Sequence, residues 1–368
     1  MKGHANLAFF IPHLGCPNQC SFCDQRVISG AVQAPSPEAV AAQCRACLAS
    51  GKGGSHTEIA FFGGSFTAIP RKEMISYLEA VQPFLGNGGF AGIRISTRPD
   101  AVPEEILQVL KAYHVTAVEL GAQSMSDTVL EKNQRGHTMQ DVRDAALRIR
   151  SYGFSLGLQM MYGLYGSTEA DEQETLNACI GLKPDTMRLY PTVILEGTRL
   201  AELYRKGAYI LPSWDAMLSF VGEAICRLRQ ANIALIRCGL HAEEHLEKRM
   251  LGGFYHPALR ELAEERLYLR AMMDWLRMHP EPIPSSRKDF LLAEVHPGCA
   301  GLAAGHNKAN RRRISESTSG MRMKIAEEKQ LPEGFLRMSL CCLQDDGTIK
   351  RLGEEVYDVF KITGTTGL

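Results

Sequence analysis

Three cysteines fall within eight residues. The stretch IPHLGCPNQCSFCDQ places Cys16, Cys20 and Cys23 in a C-x3-C-x2-C run. Thiolates ligate iron–sulfur clusters, and three on one loop hold three irons of a 4Fe–4S cube while the fourth iron keeps an open position. A substrate or cofactor can chelate there. The same thiols suit a structural zinc ion that takes a fourth Cys or His, for which His13, Cys44 and Cys47 are candidates. Gly15 and Pro17 are residues that a tight loop favours.

Further polar residues gather at the ends of apolar runs. FFGGSFT (Phe61–Thr67) closes one run with Gly63, Gly64 and Ser65, and a glycine pair lets the backbone approach a ligand closely. ISTRPD (Ile95–Asp100) offers Ser96, Arg98 and Asp100. VELGAQS (Val118–Ser124) offers Glu119, Gln123 and Ser124, and GLQMMYGLYGST (Gly157–Thr168) offers Gln159 and Gly163. Singly, each can be a structural polar group, and Arg98 or Glu119 can form an ion pair at a rim. Converging on one mouth, they make a binding site, which a core does not need.

Other features carry less chemistry. Cys44 and Cys47 read as a buried pair on a helix, and Cys341–Cys342 as part of an apolar strand. The segment Cys238–Pro257, with His241, His245, His256, Glu243 and Glu244, reads as a solvated helix face, or alternatively as a cavity lining or metal site. Lys308, Arg311, Arg312 and Arg313 form a basic cluster. From Gly305 to Arg351 there are ten Lys/Arg against six Asp/Glu, a local excess able to track phosphates.

The elements that must hold these residues are legible. Apolar runs at Asn6–Pro12, Thr57–Phe62, Gly92–Thr97, Val115–Leu120, Phe154–Met161 and Thr186–Tyr190 predict strands. Amphipathic stretches at Pro37–Ala49, Arg71–Phe84, Pro103–Tyr113, Thr138–Tyr152 and Ala170–Gly181 predict helices between them. Near-continuous apolar strands alternating with helices indicate a parallel sheet with helical crossovers. An open dinucleotide-binding sheet would carry a glycine fingerprint after its first strand, and cysteines stand there instead. The expected fold is α/β, a partial (β/α)6 TIM-like barrel that Asn232–Arg237 extends, with a small α+β C-terminal extension. The expected division is 1–237 for the core and 238–368 for the extension. The latter opens on a helical stretch, Pro257–Met278, followed by the proline-rich HPEPIPSS and strand patterns at Phe290–Val295 and around Phe335–Leu343.

Composition bounds the function. The chain has 368 residues, with 41 Lys+Arg against 41 Asp+Glu, so it is no wholesale polyanion binder. It is 45% hydrophobic and 22% charged, as soluble globular proteins are. Eleven cysteines without an evident secretory leader argue against a disulfide framework and for reduced thiols in the cytoplasm. No stretch reaches the length of a membrane span.

The C-x3-C-x2-C run with an aromatic before its last cysteine resembles the signature of the radical S-adenosylmethionine (SAM) enzymes. The resemblance implies that Cys16, Cys20 and Cys23 ligate a 4Fe–4S cluster whose open iron binds SAM, and that Phe22 backs the adenine. One electron from the cluster would cleave SAM to a 5′-deoxyadenosyl radical that takes hydrogen from the substrate. Gly63, Gly64 and Ser65 match the family's glycine motif, which contacts the SAM amino group; Ser96, Arg98, Gln123 and Gln159 become contacts to SAM or substrate. Within the family, RLYPTVILEGTRLAELYRKGAY (Arg188–Tyr209) and ELGAQSMSDTVLEKNQRGHT (Glu119–Thr138) resemble the Elongator-type branch. That branch spaces its cysteines more widely and adds an acetyltransferase domain, which nothing after Cys238 resembles. The resemblance thus implies a radical SAM enzyme acting on an RNA, a tRNA base, with SAM and a reductant such as flavodoxin or ferredoxin as partners. Lys308, Arg311, Arg312 and Arg313 would meet that RNA. The alternatives are chemistry on a small molecule or peptide, as in coproporphyrinogen oxidases, and a non-catalytic zinc-stabilised RNA-binding protein.

Overall fold

A computed structural model describes residues 5–12, 14–16, 20–30, 33–241, 244–279, 289–344 and 346–361. His13, Pro17, Glu243 and most of the proline-rich segment fall outside them, as does the side chain of His245. The chain divides into two compact units, Met1–Pro212 with Ile233–Pro257, and Ser213–Asn232 with Ala258–Leu368. The expected division after residue 237 falls within the first unit.

The first unit is built on strands β1 (Ala5–Ile11), β2 (Thr57–Gly63), β3 (Gly92–Thr97), β4 (Val115–Gln123), β5 (Ser155–Tyr162), β6 (Thr186–Pro191), β7 (Val193–Leu195), β8 (Ala234–Cys238) and β9 (Met250–Gly253). Seven of them form one parallel sheet in the order β1-β2-β3-β4-β5-β6-β8, the partial barrel that the alternating pattern predicts. The short β7 and β9 pair antiparallel beside it; neither was legible in the sequence.

Burial explains why the strands read as apolar runs. Ile59, Ala60 and Phe61 of β2 and Ala117, Val118 and Leu120 of β4 have no exposure at all, because helices cover a parallel sheet. Those helices start where the sequence caps them. Ser36 accepts from the Ala39 amide at 3.2 Å, and Thr138 and Thr168 close capping boxes with Asp141 and Asp171. Each such cap is worth about 1 kcal/mol. Strand β4 outruns its apolar stretch by three residues. A register irregularity between Gly121 and Gln123 puts Gln123 at φ 65° and turns the strand's end.

The second unit pairs the helix Trp214–Gln230 with the helix Leu259–Met278 and adds a sheet of β10 (Phe290–Val295), β11 (Arg322–Glu327), β12 (Phe335–Leu343) and β13 (Ile349–Asp358). The order is β11-β10-β12-β13, with β10 and β11 parallel and the other pairs antiparallel. Trp275 ties helix to sheet by donating Nε1–H to the Gly353 carbonyl at 2.8 Å. Among the described residues no helix is long and apolar enough to cross a membrane.

Candidate cluster and cofactor site at the strand ends

A cavity of 360 Å³ opens at the C-terminal ends of the strands. Cys16, Phe22 and Cys23 line it from the loop after β1. Gly63 and Gly64 line it from the end of β2, Ser96 from β3 and Arg98 from just after it. Glu119 and Gln123 come from β4, Gln159 from β5, and Arg188 and Tyr190 from β6. Ser96, Arg98, Glu119, Gln123 and Gln159, picked out strand by strand, therefore meet at one mouth, whereas Asp100, Ser124 and Gly163 do not line it. His241 also lines it, whereas Cys20 borders a second cavity beside His137 and Arg199.

The cysteine loop is locked to the glycine pair. Gly64 donates its N–H to the Ile11 carbonyl at 2.8 Å, and Ser65 donates to Leu14 at 2.9 Å. A Cβ on Gly64 would stand 2.1 Å from the Leu14 oxygen, so no other residue fits. The missing side chain at Gly64 is thus used by the cysteine loop's own backbone, a role the sequence did not reveal. Ser65 is absent from the cavity wall. Its buried hydroxyl lies 3.1 Å from Thr97 Oγ1 and accepts from the Arg98 amide at 3.0 Å, binding β2 to β3.

The remaining polar groups are partnered as follows. Arg98 donates to both oxygens of Asp100, at 2.9 and 2.8 Å, the ion pair that the sequence offered as one reading. Gln159 Nε2 donates to Gln123 Oε1 at 3.2 Å, so these two act as one amide surface. Beneath them Glu119 joins Arg188 through bonds of 2.5 and 3.0 Å and Arg94 at 3.1 Å, and Arg94 also reaches Glu58 at 2.7 Å. The Arg188 guanidinium lies 4.6 Å over the Phe62 ring. Burial works against the Arg188 charge, but Glu119 and Tyr190 hold its pKa above the usual arginine value.

Arg135 is the residue that motif reading passed over. It sits in the Arg135–Gly136–His137 triplet, donates Nη1–H to Cys20 Sγ at 3.0 Å and Nη2–H to the Gly121 carbonyl at 2.8 Å. Its buried Nε has no partner among the described residues, and no carboxylate pairs with it there. Only its place in a quoted motif could have signalled it. Gln25 Nε2 lies 3.8 Å from Cys16 Sγ. Burial pushes the Cys16 and Cys23 thiols up; the sulfur of Cys20 adds to this in both, and Arg135 opposes it.

These residues fit an iron–sulfur cluster. Burial first, and then the sulfur of Cys20, push the Cys16 and Cys23 thiols up, which puts the three sulfurs within electrostatic reach, and a buried guanidinium donates to Cys20. Deprotonating such a trio requires positive charge, which a cluster supplies. Among the described residues no three His, Cys, Asp or Glu side chains are gathered as one metal ion requires. All eleven cysteines are free, and Cys44, Cys179, Cys226, Cys299 and Cys341 are buried away from any such group.

Comparison with known proteins agrees with the fold. Residues 10–179 match the Radical SAM superfamily and residues 184–269 the Radical_SAM C-terminal domain. The chain belongs to the radical SAM superfamily and is an enzyme of it; the family uses a 4Fe–4S cluster and SAM. More particularly, its relatives include proteins of the Elongator type. It is 26% identical over 247 residues to the tRNA uridine(34) acetyltransferase of Dehalococcoides mccartyi, covering 57% of this chain and 53% of that one. It is 27% identical over 188 residues to Elongator complex protein 3 of Danio rerio, covering 46% and 34%. The chain thus spans about a third to a half of these curated relatives' lengths. Among solved structures, the archaeal Methanocaldococcus infernus Elp3 lacking residues 1–46 superposes with a TM-score of 0.57 at 16% identity. That match covers 92% of this chain and 74% of that one, and it shows a shared fold.

Proposed function

We propose that this radical SAM enzyme modifies a base of RNA, in a tRNA, in the cytoplasm. The observation that carries the reading is the meeting of Cys16, Cys23 and the strand-end polar residues in one cavity, with Arg135 bonded to Cys20. When bound, the cluster supplies the electron that cleaves SAM to the hydrogen-abstracting 5′-deoxyadenosyl radical. Cys16, Cys20 and Cys23 hold three of its irons. Phe22 backs the adenine, and the main chain of Gly63 and Gly64 meets the amino group, while Ser65, off the cavity wall with its hydroxyl and main chain bonded elsewhere, braces that turn. Arg98, Ser96 and the Gln123–Gln159 pair orient SAM or substrate at the mouth. The relatives' names and the exposed Lys308, Arg311, Arg312 and Arg313 favour RNA. Residues 1–237 then carry the chemistry and 238–368 the RNA contact, with a flavodoxin or ferredoxin as electron donor.

The test is nucleoside mass spectrometry of tRNA from cells lacking the gene, beside reductive SAM cleavage by the purified enzyme. The expected result is one modified nucleoside lost and restored by the wild-type gene but not by Cys20→Ala. SAM cleavage with an unchanged tRNA profile would instead assign a small-molecule or peptide substrate.

A further inference from the structure

The second unit contains an arrangement that the radical chemistry does not use. Strand β10 (Phe290–Val295) leads into the helix Ala300–Ala304, a turn over residues 305–308, the helix Ala309–Ser317 and strand β11 (Arg322–Glu327). The two strands lie parallel and side by side in register from Phe290 beside Arg322 to Val295 beside Glu327. Strand–helix–turn–helix–strand with a glycine-led turn between the helices is the build of K-homology (KH) modules, whose G-x-x-G turn clamps the backbone of single-stranded RNA.

The turn is made rigid from below. Gly305 stands at φ 74°, and a Cβ there would lie 2.8 Å from the Asn310 amide group. The buried Asn310 donates Nδ2–H to the carbonyls of Glu265, Leu302 and Ala303 at 2.9, 3.2 and 3.3 Å, knitting both helices to the helix Leu259–Met278. Lys308 N–H returns to the Gly305 carbonyl at 2.8 Å, and His306 N–H goes to a Glu265 carboxylate oxygen at 2.8 Å. Asn307 and Lys308 are left-handed, at φ 51° and 61°. The turn reads Gly-His-Asn-Lys, so Lys308 occupies the position of the second glycine and adopts the backbone a glycine would take there, placing a cation at the turn.

Its surface is cationic. From Ala300 to Glu327 there are six Lys/Arg against two Glu. Lys308, Arg311, Arg312 and Arg313 are exposed. Among the described residues Lys308, Arg311 and Arg313 have no ion-pair partner, and Arg312 donates only to the Asn307 carbonyl, at 2.7 Å. A rigid turn at a helix start with unmatched cations fits a chain of phosphates.

We propose that residues 290–327 form a KH-type module that binds single-stranded RNA, with the turn Gly305–Lys308 seating its phosphates. The identity of the RNA rests on the proposed tRNA substrate; the binding itself does not. The module would hold a single-stranded loop or end of the substrate, which a duplex reader would not.

The test measures fluorescence anisotropy of labelled eight-nucleotide RNAs with the full chain, purified anaerobically, beside a blunt duplex of matching sequence. Single strands should bind, and the double variant Asn307→Asp/Lys308→Asp should weaken binding about tenfold or more. Asp tolerates the left-handed backbone better than most residues, so the variant should keep the wild-type melting temperature. Arg311→Ala alone should lower affinity less and flatten the salt dependence. Duplex binding as tight as single-strand binding, or a double variant that binds like wild type, overturns the proposal. An unchanged tRNA profile in the deletion strain alongside intact oligonucleotide binding would sink the tRNA reading and leave the module standing.

Discussion

Buried charge is handled in two ways in the first unit. On the inner wall, Glu119 is 4% exposed and lies between Arg94 and Arg188, with Glu58 completing a set of two acids and two bases. At the rim Arg98 still pairs with Asp100, but two other buried charges rest on neutral partners. Arg135 donates to a thiol and a carbonyl, and among the described residues Glu172 accepts only from the Gly163 amide at 2.7 Å and the Ser167 hydroxyl at 2.6 Å. The wall is electrically closed by its own side chains. The rim is not, and charges left unmatched mark where the fold waits for a ligand or tolerates a neutral form. Arg135 stands where cluster thiolates would lie. Glu172 braces the loop after β5, and burial pushes its pKa up to about 7.

Removing one member of the closed set should have the largest effect. Glu119→Ala leaves Arg188 without its carboxylate in a buried setting and should cost about 3–5 kcal/mol in urea unfolding. A loss under about 1 kcal/mol would mean that the wall is not electrically closed. A smaller effect is expected at Glu172. Its carboxyl protonates near 7 when folded and, with an ordinary pKa of 4.5, near that value when unfolded. The folded state therefore binds the extra proton between those values. The stabilisation is complete below about pH 4.5 and lost as pH rises through about 7, to a total of about 3 kcal/mol. Urea midpoints of wild type and Glu172→Gln across pH 4.5–8 check this. Glu172→Gln should flatten the pH slope, and equal slopes would show that the rim carboxyl is matched after all.

Most of the frame was legible because parallel strands buried on both faces announce themselves as apolar runs, and Ser36, Thr138 and Thr168 mark the helix starts. Gly92–Thr97 and Pro37–Ala49 keep their expected limits. The site was legible as a set of rim positions, because the residue types at strand ends are unlike a core. What was hidden depends on distance in three dimensions. Nothing local told that Gly64 is required by Leu14, that Ser65 spends its hydroxyl on Thr97, or that Arg135 reaches Cys20 across 115 positions. Strands β7 and β9 escaped because three or four residues carry no period. In the second unit the basic segment was visible as composition, but its meaning lay in the parallel pairing of β10 and β11, which no spacing encodes.

The most direct test of the account is metal and sulfide analysis of the protein purified without oxygen, wild type beside Cys20→Ala. The account predicts a brown protein with about four irons and four sulfides per chain, lost in the variant. Stoichiometric zinc with no sulfide in the wild type would contradict it.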